Sequence, residues 1–337
     1  MSQDVKQTAT LAAKMSVIEA VNLALNDAMA ADPNVIVLGE DVGDKEGGGI
    51  CGVTKGLSTT FGDSRVRSTP ISEQAIVGAA IGSAIVGMRP VAEIMLMNFT
   101  AVAMDMIVNH AAKLRYMSGG QTHVPLVIRT LTGAGMGSGG QHADYFEAWF
   151  AHTAGIKVVA PSNPADAYGL MLSAIADNDP VIFIEHLLSY WAPGEGPVRG
   201  EKIPLGKAKI VREGVDVTLV SYSGTVGHCI KAAEKLWKEG ISVELIDLRT
   251  VSPWDKTAVL QSVAKTGRAV VAHEAIRSFG VGAEIASTIN EALFGRLKSA
   301  VRRVGAISSP VPFSKPLENE FIQGADQIEE AIREALA

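Results

Sequence analysis

The chain has 337 residues, of which 47% are hydrophobic and 20% are charged, and it carries a formal net charge of −6. This composition predicts a well-packed globular protein of two domains and excludes a disordered chain. The acidic balance, with no cluster of Lys or Arg in the sequence, argues against nucleic-acid binding, and no apolar run is long enough to span a bilayer.

The two cysteines, Cys51 and Cys229, lack the spacing of a metal site and indicate a reduced compartment. Residues 1–14 have neither the apolar core of a signal peptide nor the Arg-rich pattern of a transit peptide. We therefore predict a flexible N-terminal extension over residues 1–14 and a cytoplasmic protein without a membrane partner.

Helix and strand patterns alternate from residue 15 onwards. Residues 16–31 predict an amphipathic helix capped at Ser16, and the apolar run over residues 35–38 predicts a strand buried on both faces. Glu40 follows this strand closely. Because α/β sheets bind ligands beyond the carboxyl ends of their strands, Glu40 is a candidate site residue.

A helix that is apolar on every face is predicted over residues 73–87, after Pro70 and a fair N-cap at Ser72. Such a helix should be buried all round. Its first turn carries Glu73, whose carboxylate either matches the positive end of the helix dipole or points inward and needs a partner. We favour the second interpretation, which makes Glu73 a candidate functional residue.

A strand over residues 91–97 and a helix over residues 101–117 are predicted next. Asp105, Asn109 and Lys113 recur every four residues and form one polar stripe along that helix. The stripe is either a solvated face or the lining of an internal seam.

Five glycines fall within residues 133–140, between a predicted strand over residues 124–130 and His142. Such a loop has little conformational preference and is a phosphate cradle, a lid or a plain linker. It lacks the Gly-Lys-Ser/Thr ending of a P-loop. We favour a lid that carries His142 toward a site.

The strand–helix alternation predicts an α/β fold with two doubly wound parallel sheets. Prolines and glycines crowd residues 191–205, which we predict as a linker between a domain over residues 15–190 and a smaller domain over residues 206–337. Gly224 and Gly280 lie at strand-to-helix turns of the second domain. Their patterns match anion or dinucleotide sites weakly and favour a packing role.

Several short motifs occur in the same order as in one enzyme family. They are LGEDV (38–42), TPISE (69–73), RP (89–90), NF (98–99), AKLRYMSGG (112–120), QH (141–142), GIKVV (155–159), IDLRT (246–250) and PF (312–313). The series resembles the beta subunit of the thiamine-diphosphate-dependent 2-oxo acid dehydrogenases, which is the decarboxylating component of the pyruvate, branched-chain and acetoin complexes. The resemblance covers residues 15–337. It implies a transketolase-like pyrimidine-binding domain followed by a transketolase C-terminal-type domain.

The resemblance implies roles for four residues of the first domain. Glu73 would hydrogen-bond the N1′ nitrogen of the aminopyrimidine of thiamine diphosphate, and a proton held there prepares the cofactor for attack on a carbonyl. Phe99 would stack on the pyrimidine ring, with Met95 nearby. His142 would handle the reaction intermediate or the incoming lipoyl group.

Two further sets of residues follow from the resemblance alone. Glu40 and Asp105 would belong to an acidic proton relay that leads from Glu73 toward the second active site of the assembly. Some family members hold a structural potassium ion, and the matching positions in this chain are Leu126, Ala174, Ile175, Asp177 and Asp179.

A missing motif implies a partner subunit. Enzymes of this kind hold Mg²⁺ and the diphosphate with a Gly-Asp-Gly motif, whereas residues 62–64 read Gly-Asp-Ser. We therefore expect an alpha subunit that carries the missing motif, an α₂β₂ assembly, and a lipoyl acyltransferase that accepts the acyl group. The family often continues Gln-His-Ser-Gln, and this chain departs from it at Ala143 and Asp144, which puts a charge beside His142.

The predicted activity is that of a 2-oxo acid dehydrogenase beta subunit, active only with an alpha subunit. The pyruvate type is the first choice, and the acetoin and branched-chain types are alternatives. Two other classes stay open, namely a nucleotide-binding oxidoreductase that uses the turn at Gly224 or Gly280 and a scaffold subunit without chemistry. The presence of Glu73 weighs against the scaffold.

Overall fold

The computed structural model describes residues 14–337. The predicted N-terminal extension over residues 1–14 lies outside the described residues, except for Lys14. In the first half the helices and strands are α1 (Val17–Ala31), β1 (Val35–Glu40), α2 (Leu57–Phe61), β2 (Val66–Thr69), α3 (Glu73–Ile85), β3 (Arg89–Leu96), α4 (Leu114–Met117), β4 (Val127–Thr132), α5 (Glu147–Ala151), β5 (Lys157–Val159), α6 (Pro164–Ala176) and β6 (Val181–His186). In the second half they are β7 (Lys209–Arg212), β8 (Val217–Ser221), α7 (Thr225–Trp237), β9 (Val243–Asp247), β10 (Thr250–Ser252), α8 (Lys256–Thr266), β11 (Ala269–Ile276), α9 (Val281–Leu293), β12 (Arg302–Ala306), α10 (Lys315–Phe321) and α11 (Ala325–Leu336). The irregular helical turns are a π-helical turn at Met106–Ala111 and 3₁₀ turns at Met97–Ala101 and Leu187–Ser189. None of the helices in the described part of the chain combines the length and the apolarity that a bilayer crossing needs.

Two α/β sheets are present, which confirms the predicted fold class. The first sheet has the strand order β10-β5-β6-β4-β3-β1-β2, and the second has the order β12-β11-β8-β9-β7. Both sheets are parallel except at one edge, where β10 pairs antiparallel with β5 and β7 pairs antiparallel with β9. The sequence patterns missed these two short edge strands. Because β10 follows β9 in the chain, the second half contributes a strand to the sheet of the first half.

The elements around the carboxyl edge of the first sheet follow from local sequence. Glu19 N donates to Ser16 Oγ (3.3 Å) and Ser16 N donates to Glu19 Oε2 (2.7 Å), so α1 begins with a capping box. Strands β1, β4 and β6 are buried along their whole length, as expected for parallel strands that helices cover on both faces. Loops that follow these strands therefore converge at one edge.

The expectation that α3 is buried all round is wrong for this chain. One face of the helix is buried, and it consists of Glu73, Ile76, Val77, Ala80, Ile81 and Ala84. On the opposite face Ile85 is 47% exposed and Val86 is 78% exposed, and Ala75, Ala79 and Gly82 are exposed as well. The apolar pattern describes two packing faces, and this chain covers only one of them.

The continuous helix predicted over residues 101–117 is interrupted by the π-helical turn. Within that turn the Ala112 N–H donates to the Ile107 carbonyl, five residues back (3.1 Å). Ala103, Ile107 and Ala111 are all buried although they are spaced by four residues. Positions four apart drift around a regular α-helix, and the wider π-turn removes that drift.

A buried ionic cluster joins three neighbouring strands of the first sheet. Arg129 on β4 donates to Glu93 on β3 and to Glu185 on β6, where Nε lies 2.5 Å from Glu185 Oε1. The Tyr190 hydroxyl donates to Glu185 and accepts from Arg129 (3.1 Å). The Arg129 and Glu93 side chains are 4% exposed and that of Glu185 is 0% exposed. Arg129 is thus the single positive charge between two buried carboxylates, and burial raises the pKa of Glu93.

Buried polar contacts connect the two halves of the chain. The Tyr222 hydroxyl donates to Glu147 Oε1 (2.6 Å), and His186 Nε2 lies 2.6 Å from Glu274 Oε2. Glu147 is fully buried, and its Oε2 has no partner among residues 14–337. Burial raises the pKa of Glu147 to about 7, although the hydrogen bond from Tyr222 opposes the shift. Glu147 therefore changes charge near neutral pH.

We expect Glu147→Gln to flatten the pH dependence of the unfolding free energy. The folded pKa of about 7 lies above the ordinary value of 4.5, so the neutral carboxyl stabilises the fold below pH 4.5 and this stability is lost as the pH rises to 7. At about 1.4 kcal/mol per pKa unit, the loss in the unsubstituted protein is about 3 kcal/mol. Gln has the shape of the neutral carboxyl and does not titrate.

Urea unfolding at acidic and at mildly alkaline pH measures this difference. The exposed Glu330→Gln is the matched control, because it makes the same chemical change on the surface. An equal pH difference in Glu147→Gln and in the control would contradict the assignment.

Candidate active site

Two buried carboxylates lie at the carboxyl edge of the first sheet. Glu40 is the last residue of β1, and Glu73 is the first residue of α3, which follows β2. Strand β2 pairs with β1 and places Thr69 beside Glu40, so the chain that enters α3 starts next to Glu40. Glu40 is 7% exposed and Glu73 is 9% exposed. No hydrogen bond from residues 14–337 reaches either carboxylate.

The surroundings of Glu40 disfavour its charged form. Burial raises the pKa of Glu40, and the negative charge of Glu73 adds to the shift. An N–H donor beside this carboxylate would oppose that shift. A carboxylate that points inward needs a partner, and the described part of the chain supplies no hydrogen-bond donor to Glu73.

Met95 and Phe99 flank the same edge. Met95 lies near the end of β3, which pairs with β1, and Phe99 lies in the 3₁₀ turn that follows β3. Both side chains are half-buried and pack against the hydrophobic core of the first half. Each keeps part of its apolar surface exposed, as contact with a flat ring would require.

His142 reaches this edge through the Gly-rich loop. Its ring meets the Phe99 ring edge-to-face at a centroid distance of 5.5 Å and an interplanar angle of 75°. Asn98 fixes the end of the loop, because its Nδ2 donates to the Gly140 carbonyl (3.0 Å) and to Asp144 Oδ2 (2.9 Å). Phe99, which the resemblance implied, and His142, which the loop pattern and the resemblance both indicated, are therefore neighbours, and His142 remains exposed.

The two departures beside His142 have different surroundings. Ala143 is buried and packs with Ala134, Val311 and Phe321. Burial raises the pKa of Asp144, and the hydrogen bond from Asn98 opposes that shift. The Asp144 carboxylate thus accepts a hydrogen bond from Asn98.

Asp105 is exposed, and its polar contacts are with its own helical segment. Its Oδ1 accepts from Asn109 Nδ2 (2.8 Å), its Oδ2 lies 3.6 Å from His110 Nε2, and its side chain is 53% exposed. In this chain the polar stripe is a solvated face, and Asp105 has no hydrogen bond to Glu40 or Glu73. The proton relay through Asp105 stays a prediction.

The five positions considered for potassium lie at the amino end of β4 and at the carboxyl end of α6. They are Leu126, Ala174, Ile175, Asp177 and Asp179. Arg89 donates to the carbonyls of Ile175 (2.9 Å) and Asp177 (3.0 Å), and Lys157 Nζ lies 2.7 Å from the Asp177 carboxylate. The oxygen donors suit a hard cation, but side-chain cations of the chain already bind several of them. Potassium binding stays a prediction.

The side chains at the carboxyl edge fit one part of a thiamine cofactor. A buried carboxylate without a donor fits a protonated ring nitrogen, and an aromatic face fits a planar heterocycle. Within residues 14–337 no group of three or more His, Cys, Asp or Glu side chains has the arrangement of a metal site. Contact between this edge and a pyrimidine stays a prediction.

Both glycine turns of the second half are tightly packed. A Cβ at Gly224 would lie 2.6 Å from the His186 ring, and a Cβ at Gly282 would lie 2.6 Å from His273 Nε2. Glycine at these turns gives room for buried histidines, which agrees with the packing role that the sequence favoured.

The sequence missed two carboxylates that contact the Gly-rich loop from the second half. Glu274 Oε1 accepts from Ala134 N (2.7 Å), and Glu318 Oε1 accepts from Gly135 N (2.6 Å). Glu318 and Gly135 are 183 positions apart. No periodicity or spacing marks such a contact, and the only nearby signal was the Pro312-Phe313 motif.

Comparison with known proteins agrees with this geometry. The model for the transketolase pyrimidine-binding domain matches residues 13–190, and that for the transketolase C-terminal domain matches residues 206–328. The chain also resembles a split-gene transketolase solved as an inactive beta4 tetramer (TM-score 0.79, 22% identity, 96% of this chain and 99% of that one). A transketolase from Leishmania mexicana superposes with a TM-score of 0.72 at 16% identity over 98% of this chain and 47% of that one.

Relatives with higher sequence identity than these transketolases are named as beta subunits of larger enzymes. The acetoin:2,6-dichlorophenolindophenol oxidoreductase subunit beta of Cupriavidus necator is 46% identical over 97% of this chain and 98% of its own length. The pyruvate dehydrogenase E1 component subunit beta of Homo sapiens is 42% identical over 98% of this chain and 92% of its own length. These matches confirm the resemblance found in the motifs. The chain therefore belongs to the transketolase-like family that includes the beta subunits of pyruvate dehydrogenase E1 components and acetoin oxidoreductases.

Proposed function

We propose that this chain is the beta subunit of a thiamine-diphosphate-dependent 2-oxo acid dehydrogenase component and that it supplies the pyrimidine half of the active site. The observation that carries the proposal is Glu73, a buried carboxylate at the start of α3 with no donor among residues 14–337. The residue ranges 15–190, 191–205 and 206–337 are proposed as its two domains and their linker.

Each candidate residue has a physical task in this proposal. When bound, thiamine diphosphate would supply a nucleophilic carbon and an electron sink for the decarboxylation of a 2-oxo acid. Glu73 accepts a hydrogen bond from the N1′ nitrogen and stabilises a proton there, since a buried anion favours the protonated donor. Glu40 raises the local negative potential, Phe99 and Met95 pack against the ring, and His142 donates or accepts a proton at the open side.

A half-site requires an alpha subunit that holds Mg²⁺ and the diphosphate, in an α₂β₂ assembly. The exposed apolar face of α3 supports a partner, because Ile85, Val86, Ala79 and Gly82 are left uncovered by this chain. A lipoyl acyltransferase is proposed as the acceptor of the acyl group.

Pyruvate is the proposed substrate, and acetoin is the second candidate. The observation that favours acetoin is the 46% identity to an acetoin oxidoreductase subunit, against 42% to the human pyruvate dehydrogenase subunit. A branched-chain 2-oxo acid stays the third alternative. A panel of these compounds, assayed with the assembled enzyme and an artificial electron acceptor, ranks them.

Calorimetric titration of thiamine diphosphate with Mg²⁺ tests the split site. We expect no binding to this chain alone and tight binding to the mixture with its alpha subunit, because the diphosphate ligands lie on the partner. Tight binding to the isolated chain would contradict the need for a partner. Tight binding of NAD instead would favour the oxidoreductase alternative. Repeating the titration with sodium in place of potassium tests the potassium site, since loss of affinity is expected only if potassium is bound.

A further inference from the structure

The Gly-rich loop lies tightly against the second half of the chain. Four of its glycines adopt left-handed backbone angles, for example Gly139 with φ +75°. A Cβ at Gly139 would lie 2.3 Å from the Phe313 ring, and a Cβ at Gly140 would lie 2.8 Å from Pro310 Cβ. Glycine is therefore required here because the segment before α10 fills the space a side chain would need.

One carboxylate of α10 holds the first arm of this loop. Glu318 Oε1 accepts hydrogen bonds from Gly135 N (2.6 Å) and Gly137 N (3.0 Å). Lys315 Nζ donates to the Gly135 carbonyl (2.6 Å) and to Glu318 Oε2 (3.2 Å). The Glu318 side chain is 0% exposed. Burial alone would raise the pKa of Glu318, but the N–H groups of Gly135 and Gly137 together with Lys315 outweigh it and lower the pKa, so the carboxylate is charged.

The second arm is held within the first half. Asn98 contacts Gly140 and Asp144, and Thr132 Oγ1 donates to the Asp144 carbonyl (2.6 Å). His142 lies between the two anchored arms and meets Phe99. The loop is thus held on both sides, and the lid that carries His142 toward a site stays a prediction.

We propose that Glu318 is a positioning residue for His142. By binding the amides of Gly135 and Gly137, it fixes the loop so that the imidazole faces the Phe99 edge of the active site. The second domain thereby controls the geometry of a site whose chemistry lies in the first domain. The inference rests on the proposed role of His142, and the charged carboxylate is needed because it accepts two N–H groups at once.

Hydrogen exchange tests the contact itself. In the assembled enzyme, we expect Glu318→Gln to speed amide exchange in residues 133–142 at least several-fold, because a neutral amide oxygen binds the two N–H groups more weakly. The matched control is Glu320→Gln, which makes the same change at an exposed position of α10. Unchanged exchange in Glu318→Gln would overturn the proposal without affecting the proposed function.

Steady-state kinetics test the coupling to His142. We expect Glu318→Gln to lower kcat about 10-fold or more with little change in KM, since misplacing a catalytic group costs rate rather than substrate binding. In a His142→Ala background, the same substitution should change kcat by less than about 2-fold, because the group that it positions is gone.

The alternative outcomes are distinct. An equal fall in kcat in both backgrounds would overturn the positioning role, because Glu318 would then act through another group. Full activity of His142→Ala would refute the proposed role of His142, while the exchange measurement would still decide whether Glu318 holds the loop. If Glu318→Gln fails to assemble, Glu318→Asp carries both tests by the same criteria, because it keeps the charge and withdraws the carboxylate from the amides of Gly135 and Gly137.

Discussion

The Glu73→Gln variant is expected to lose decarboxylation activity by roughly 10²- to 10⁴-fold. Glu73 is a buried carboxylate with no donor among residues 14–337, and Gln keeps its size while removing the group that would stabilise a proton on the partner nitrogen. Glu73 is the first residue of α3 and lies on its buried face. A smaller loss of activity would mean that the N1′ nitrogen has another acceptor.

The assay uses the assembled enzyme, saturating thiamine diphosphate and an artificial electron acceptor. Glu201→Gln is the matched control, because Glu201 is exposed and has no ion pair among the described residues. Assembly with the alpha subunit should be retained in both variants, as judged by size-exclusion chromatography. Full activity of Glu73→Gln would sink the catalytic assignment and would favour the scaffold alternative.

Arg129→Met should have the largest effect on stability, lowering the unfolding free energy by about 3–5 kcal/mol. Arg129 is the positive member of the buried cluster with Glu93 and Glu185. Its removal leaves two carboxylates in an environment without water, and each then bears its full desolvation cost. The Tyr190 hydroxyl can donate to only one of them.

Urea unfolding compares this variant with two others. The exposed Arg296→Met is the surface control and should change the unfolding free energy by less than about 0.5 kcal/mol. The triple variant Arg129→Met, Glu93→Gln, Glu185→Gln removes all three charges and should recover most of the loss. If the triple variant is as unstable as Arg129→Met, the cost comes from packing rather than from unpaired charge.

The features that could be predicted from the sequence are those that depend on residues close together in the chain. The apolar run of β1, the capping box at Ser16 and the position of Glu73 at a helix start are local features, and they occur where they were predicted. Parallel strands bring their carboxyl ends to one edge, so Glu40 and Glu73 could be placed at a common edge. The meeting of Phe99 and His142 needed the family resemblance as well as the pattern.

What could not be predicted depends on contacts between distant segments or with other chains. Glu318 looks like any helix glutamate until α10 lies against the Gly-rich loop. Strand β10 is only three residues long and gains its extended form by pairing with β5. The helix α3 was predicted to be fully buried because all its faces are apolar. An apolar face does not show whether its own chain or another chain covers it.

The pairing of β10 with β5 also protects the first sheet against unwanted association. Without β10, the backbone N–H and C=O groups of β5 would form an open edge that another chain could extend, which is a common route to aggregation. The second half closes that edge with three residues, Thr250–Ser252. A chain cut within the proposed linker over residues 191–205 would therefore aggregate more readily, because the N-terminal fragment would lack β10 and would expose the backbone of β5.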